Sequence, residues 1–376
     1  MSLLKSLVVS LFLVAVCISQ ITPAHKVRTS AQRAPEHTVS VLISATDAHG
    51  NPVRDLAIDQ VTVMDNNQPA QTMQVVDASS LPLDLGIVLL ASKEKFGQEQ
   101  AAAIDLAQKV LRPGKDKAFV VTAAGDKSWP NPKLNWLTEP SAVADMVRGL
   151  DKNAGLPDLF SYVLSTSNIG IDRQSIQSFN TGGGFSFFNV IWAMMKTDPA
   201  PARRAVVIFR LPSAHAPGWG ERNSRACEEN HNYVIQTAQS LGVSFYTIGL
   251  DDQMPGTNAY TTNIQHDYQP LHNGNSVGAR QYDADMDKYL ANQYRAGREN
   301  ISRIADETGG HAYWTLKKNY ADAVAAIENE LSGRYVVSFV PPDKSAESSI
   351  HPIKIQVSGA AHVSAPRAYI VQPAGQ

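Results

Sequence analysis

The chain has 376 residues, 43% of them apolar and 18% charged, a balance that can bury a core and excludes global disorder. Its 33 basic and 35 acidic residues leave a formal charge of −2, which excludes the basic surface that nucleic-acid binding needs. Two cysteines exclude a disulfide scaffold and a cysteine-rich zinc module, and the length suggests roughly two to three domains.

In chain order, Lys5 precedes an apolar run from Leu7 to Val16, and Thr22 and Ala24 are small residues suited to a cleavage site. This order predicts a secretory signal peptide over residues 1–24. The run is shorter than the roughly 20 residues of a membrane span, and no later stretch is long enough, so the mature chain is expected to have no span. It would then lie in the periplasm or outside the cell. Loss of Cys17 with the signal leaves Cys227 alone, which reads as a small apolar core residue.

Residues 25–36 carry little apolar pattern and read as a tether. Val39, Val41 and Ile43 alternate with polar residues, which predicts a half-buried strand. Val61 and Val63 lead into the turn Asp65-Asn66-Asn67, which predicts a strand and hairpin. Residues 37–80 therefore read as a β segment with too little core to stand alone.

Residues 81–333 follow another pattern. Gly86–Leu90, Ala118–Thr122, Ala205–Phe209 and Val243–Ile248 are continuous apolar runs, as strands buried on both faces should be. Helices are expected over 97–111, at the stripe Val143, Met146, Val147 and Leu150, over 187–196, near 223–241, over 301–308 ending at Gly309-Gly310, and over 318–332. A short strand at 311–315 precedes the last. This alternation predicts an α/β fold: a mostly parallel sheet with helices on both faces. Polar insertions at 152–186 and 251–296 interrupt it, and irregular connections of that length are commonly functional. Alternation returns at Tyr335–Phe339 and Ile353–Val357. These strands, within residues 334–372, are expected to pair with 37–80 as a small β module.

Catalytic motifs are missing: there is no G-x-S-x-G elbow, no H-E-x-x-H and no phosphate loop. His215, His231, His266, His272 and His311 lack metal-ligand spacing and read as solvated histidines.

Several segments in order carry a family resemblance. They are Val53–Asn66, Pro82–Leu90, Arg203–Ile208, the Tyr-Thr-Ile-Gly of Tyr246–Gly249, the Thr-Gly-Gly of Thr308–Gly310 and the exit segment Leu331–Phe339. Together they resemble the von Willebrand factor type A (vWA) domain and, more narrowly, the VWFA-related family described from Acidobacteria. The resemblance implies a vWA-like (Rossmann-like) fold and a non-catalytic role in protein–protein interaction or adhesion at the cell envelope. It also implies a metal-ion-dependent adhesion site whose first loop reads Asp-x-Ser-x-Ser, completed by a Thr and a distal Asp.

This chain departs from that pattern in three loops. Leu90 stands at the first Asp; Ser92 is kept; Glu94 replaces the last Ser, between Lys93 and Lys95. Phe185 stands at the Thr, followed by Ser186, with Asn189 at a usual Asp. Phe209-Arg210-Leu211-Pro212 occupies the Asp-Gly turn. A hard cation wants carboxylate oxygens, so the adhesion site is expected to be degenerate, with no cofactor and no Mg2+. Ser92, Glu94, Phe185, Ser186 and Asn189 remain as candidate ligand-binding residues, together with Asp251 after the fourth strand. The expected partner is a protein. The alternative is an exported hydrolase with its site in 152–186 and 251–296, where Asp, His and Ser are available but no spacing selects them.

Overall fold

The computed structural model describes residues 38–89, 96–122, 135–150, 201–209, 232, 234–250, 298–299, 301–315, 320–342 and 350–370. The expected signal peptide and tether, the helix expected at 187–196, the segments 152–186 and 251–296, and Cys227 lie outside the described residues.

Three strands come first: β1 (Val39–Thr46), β2 (Val61–Asp65) and β3 (Gln68–Asp77). An alternating unit follows, with β4 (Leu83–Leu89), α1 (Phe96–Val110), β5 (Lys117–Thr122), α2 (Pro140–Arg148), β6 (Arg203–Phe209), β7 (Val243–Leu250), β8 (Ala312–Thr315) and α3 (Tyr320–Ser332). Residues 234–241 and 301–307 are also helical. The chain closes with β9 (Arg334–Val340), β10 (Ile350–Val357), β11 (His362–Ser364) and β12 (Ala368–Ile370).

The strands form two sheets. One has the order β5-β4-β6-β7-β8, and every pairing in it is parallel. The other has the order β11-β1-β9-β3-β2-β10-β12, and every pairing in it is antiparallel. The fold is therefore mixed α/β. The antiparallel sheet is wider than the small module the sequence suggests. The strand after the expected hairpin turn, β3, runs on to Asp77, and the three-residue strands β11 and β12 are added.

Alternate residues of each parallel strand point to opposite faces of the sheet. Leu83, Leu85, Ile87 and Leu89 of β4 pack with Ala205, Val207 and Phe209 of β6 against Leu106 of α1, Val143 and Val147 of α2, and Val324 and Ile327 of α3. Residues of the other parity, Val88, Val206, Ile208 and Phe245, are buried as well. Both faces are thus covered, which is why these strands read as unbroken apolar runs. Each such side chain contributes roughly 1.5–3 kcal/mol on burial. Helical residues 234–241 and 301–307 are tied together where Gln239 Nε2 donates to the Glu307 carbonyl at 2.8 Å. At α2, Pro140 occupies the first turn, where its missing N–H has no helical partner to lose.

The antiparallel sheet buries one face. Val41, Ile43, Val63, Val337, Phe339, Ile353 and Ile355 share its core, while β10 alternates exposed and buried along its whole length. The β2–β3 hairpin turns through Asn66 (φ 49°) and Asn67 (φ 63°), and two successive left-handed residues are what a type I′ turn requires.

The sheets meet around Gly309-Gly310. Gly309 has φ 80°, and a Cβ there would sit 2.8 Å from the Pro366 nitrogen. A Cβ on Gly310 would sit 1.9 Å from the Phe245 carbonyl oxygen. Arg367 N donates to the Glu307 carbonyl at 3.1 Å, so the β11–β12 connection rests on the end of helical residues 301–307.

Candidate functional site

Parallel strands gather their carboxyl ends on one edge. Here that edge is formed by Leu89, Thr122, Phe209, Leu250 and Thr315. From β4 the chain moves outward to β5, and from β6 it moves the other way to β7. Connections that diverge in this manner open a crevice at the carboxyl ends of the two strands, where open α/β sheets bind ligands. The switch point lies between Leu89 and Phe209, which are paired in register and fully buried. The Phe209 ring lies 6.2 Å from that of Tyr320, so α3 braces the strand end.

Three of the sequence candidates directly follow these strand ends in the chain, and three come after α2. Ser92 and Glu94 fall between β4 and α1, Phe185, Ser186 and Asn189 fall between α2 and β6, and Asp251 is the first residue after β7. All six side chains lie outside the described residues, so the structure neither assembles nor separates them. At the resemblance positions, Ser92, Glu94 and Asn189 carry side-chain oxygens, and Leu90, Phe185 and Arg210 carry none. The last three, an aliphatic, an aromatic and a cationic side chain, offer no oxygen to a hard divalent ion. Among the described residues, no cluster of three or more His, Cys, Asp or Glu side chains is placed to hold a metal ion.

Charged networks that the sequence did not reveal sit elsewhere. At the amino edge, the buried Asp116 carboxylate accepts from Leu83 N (2.7 Å), Arg112 N (2.8 Å) and Arg112 Nε (2.8 Å). Burial pushes its pKa up, but these hydrogen bonds outweigh burial and hold it below the usual carboxylate value. For neighbouring Asp84, burial prevails over Lys117 and Arg204, and its pKa is raised. Arg203, buried beside them, donates to the Leu331 carbonyl at 2.7 Å, and desolvation brings its pKa down to about 10. These groups fasten strand beginnings and lie at the edge opposite the crevice.

A second network spans the sheet junction. Arg334 Nη2 donates to the Tyr246 hydroxyl at 2.8 Å, and the Tyr313 hydroxyl donates to Glu330 Oε1. Burial comes first in raising both tyrosine pKa values, and Glu330 raises each further. A third buried group lies in the antiparallel sheet, where the Tyr369 hydroxyl donates to Asp65 Oδ2 at 2.9 Å and the Tyr369 ring stacks on that of His351, with centroids 4.9 Å apart. Sequence reading misses these because their partners are distant in the chain and charged residues read as surface. Near the junction, His311 Nδ1 lies 3.3 Å from Asp306 Oδ1, and that hydrogen bond raises the His311 pKa.

No family model matches the chain, and no curated protein matches it. Solved structures do. Proximal thread matrix protein 1 from the mussel byssus, in its second crystal form, is 9% identical over 67% of this chain and 48% of that one, with a TM-score of 0.32. The same protein with a zinc-occupied MIDAS motif gives 9%, 70%, 48% and 0.33. The PilB minor pilin from Streptococcus sanguinis gives 9%, 66%, 62% and 0.32. The chain thus spans about half the length of the byssus structures. The fold class rests on the chain's own two sheets: a parallel α/β sheet joined to a seven-stranded antiparallel one.

Proposed function

We propose that this chain is an exported, non-catalytic binding module of vWA-like architecture, which meets a protein partner at the carboxyl edge of its parallel sheet without an adhesion metal. The observation that carries this reading is the switch point between β4 and β6. The segments that follow β4, β6 and β7 hold Ser92, Glu94, Arg210 and Asp251 in sequence. The sequence resemblance supplies the expectation of binding, and the lost carboxylates supply the expectation that binding is metal-free. In that setting Phe185 offers an apolar contact where the family pattern has a metal ligand.

The test is capture of a partner from the organism's own envelope fraction by the immobilised mature protein. Capture is expected to fall sharply when the insertions 152–186 and 251–296 are both shortened, and to weaken with Phe185→Ala. Equal recovery by wild type and the doubly shortened protein contradicts the proposed edge.

A further inference from the structure

The turn at Gly309-Gly310 leads into a histidine that touches both sheets. His311 precedes β8, and its carbonyl accepts from Thr247 N of β7 at 3.1 Å, so its backbone belongs to the parallel sheet. Its ring lies 5.7 Å, centroid to centroid, from that of His362, at an interplanar angle of 74°. His362 opens β11 of the antiparallel sheet and pairs with Thr46 of β1, and its Nε2 lies 3.2 Å from Ser364 Oγ. β11 is only three residues long, so side-chain contacts weigh heavily in holding it.

His311 binds a proton more tightly in the folded chain. Its Nδ1 lies 3.3 Å from Asp306 Oδ1 of helical residues 301–307. That hydrogen bond comes first in raising the His311 pKa and prevails over burial, and the charges of Asp306 and of Glu330 on α3 add to it. A raised histidine pKa contributes stability that is present below the unfolded value of about 6.5 and is lost as pH rises through the folded value.

Other charged groups surround the pair. Arg298, Glu299, Arg303 and Arg367 line a groove together with Asp306. Asp47, one residue past Thr46, accepts from His49 N and Asn51 N. The Tyr313 ring lies 5.0 Å from that of His311. Carboxylates, phenols and guanidinium groups ordinarily keep one charge state between about pH 5 and pH 8.5, which leaves histidines to change theirs.

The contact between the two rings therefore changes with the number of protons the pair holds. With none, it is aromatic packing. One proton, on His311, adds the ion pair with Asp306 and the attraction of a cation for a neutral ring. A second, on His362, sets two like charges side by side, which is unfavourable.

We propose that His311 and His362 form a pH-sensitive latch between the two sheets, in which one proton, on His311, fastens β11 to the start of β8 and a second, on His362, releases it. The inference does not depend on the proposed binding edge, because none of the six candidate residues there takes part.

The test is hydrogen exchange of the full mature protein from about pH 5 to about pH 8.5, read as protection factors, which remove the intrinsic pH dependence of exchange. The reporter is the Ala361 amide, which donates to the Thr46 carbonyl at 2.9 Å beside His362, and the β4 amides are the reference. Relative to β4, protection is expected to be highest within the range and to fall about threefold toward each end, the scale of exposed charge contacts. His311→Gln should abolish the alkaline fall, and His362→Phe, which keeps a ring, should abolish the acid fall. Asp306→Asn should move the alkaline fall to lower pH, a shift that a merely structural role would not produce. A wild-type NMR titration of the His311 ring needs no variant, and its midpoint should coincide with that of the alkaline fall. Protection that follows β4 throughout, an alkaline fall that persists in His311→Gln, or midpoints that disagree would overturn the proposal.

Discussion

The guanidinium of Arg334 donates a 2.8 Å hydrogen bond to the hydroxyl of Tyr246. Arg334 opens β9 of the antiparallel sheet and Tyr246 lies in the middle of β7 of the parallel one, so this bond is a polar link between the two sheets. Both side chains are almost wholly buried, and a buried charge that loses its partner is costly. Tyr246→Phe removes the acceptor and keeps the ring. It is expected to cost about 1–3 kcal/mol in urea unfolding, and Arg334→Ala about 3–5 kcal/mol. Losses below about 0.5 kcal/mol for both, the range of neutral surface changes, would mean the link does not hold the sheets together.

Gly310 tests the junction from the backbone side. The Cβ of an alanine would lie 1.9 Å from the Phe245 carbonyl oxygen, a backbone atom that moves only if β7 moves. Gly310→Ala is therefore expected to destabilise by more than about 3 kcal/mol. Gly97 at the start of α1 has nothing within 4 Å of its Cβ position. Gly97→Ala is expected to be neutral or to stabilise by up to about 1 kcal/mol. Similar thermal shifts for the two variants would contradict the packing described.

Asp116 gives a pH-dependent test. Its folded pKa is lowered, because its hydrogen bonds from Arg112 and Leu83 outweigh burial. A lowered acid pKa contributes stability that is present above the unfolded value of about 3.9 and is lost as pH falls through the folded value. Asp116→Asn is expected to be less stable than wild type by about 1–3 kcal/mol near pH 6. The gap should close progressively below about pH 4. A gap that is constant from pH 6 to pH 3 would show that the charge on Asp116 is not what holds Arg112 and the start of β4.

Apolar residues made the parallel unit legible. Leu85, Ile87 and Leu89 alternate with the equally buried Val88, and only a strand covered on both faces tolerates that pattern. The stripe at Val143 and Val147 marked α2 because its buried side repeats at helical spacing. Asn66 and Asn67 marked the β2–β3 turn through their tolerance of positive φ. Less was legible where long-range partners decide. Asp65, Asp116 and Arg334 are buried charges, and nothing near them in the chain announces Tyr369, Leu83 or Tyr246 as their partners. For the candidate site, residue pattern marked the candidates, and the strand order opens a crevice that Ser92, Glu94 and Asp251 follow directly in the chain.

The central claim is a carboxyl-edge binding site that works without a metal, and calorimetric titration of the purified mature protein with Mg2+ and Mn2+ tests it most directly. Leu90, Phe185 and Arg210 replace the oxygen donors of the resemblance pattern, so no saturable heat is expected, and partner capture should proceed unchanged in excess chelator. Stoichiometric binding of either ion, abolished together with capture by Ser92→Ala or Glu94→Gln, would contradict the account.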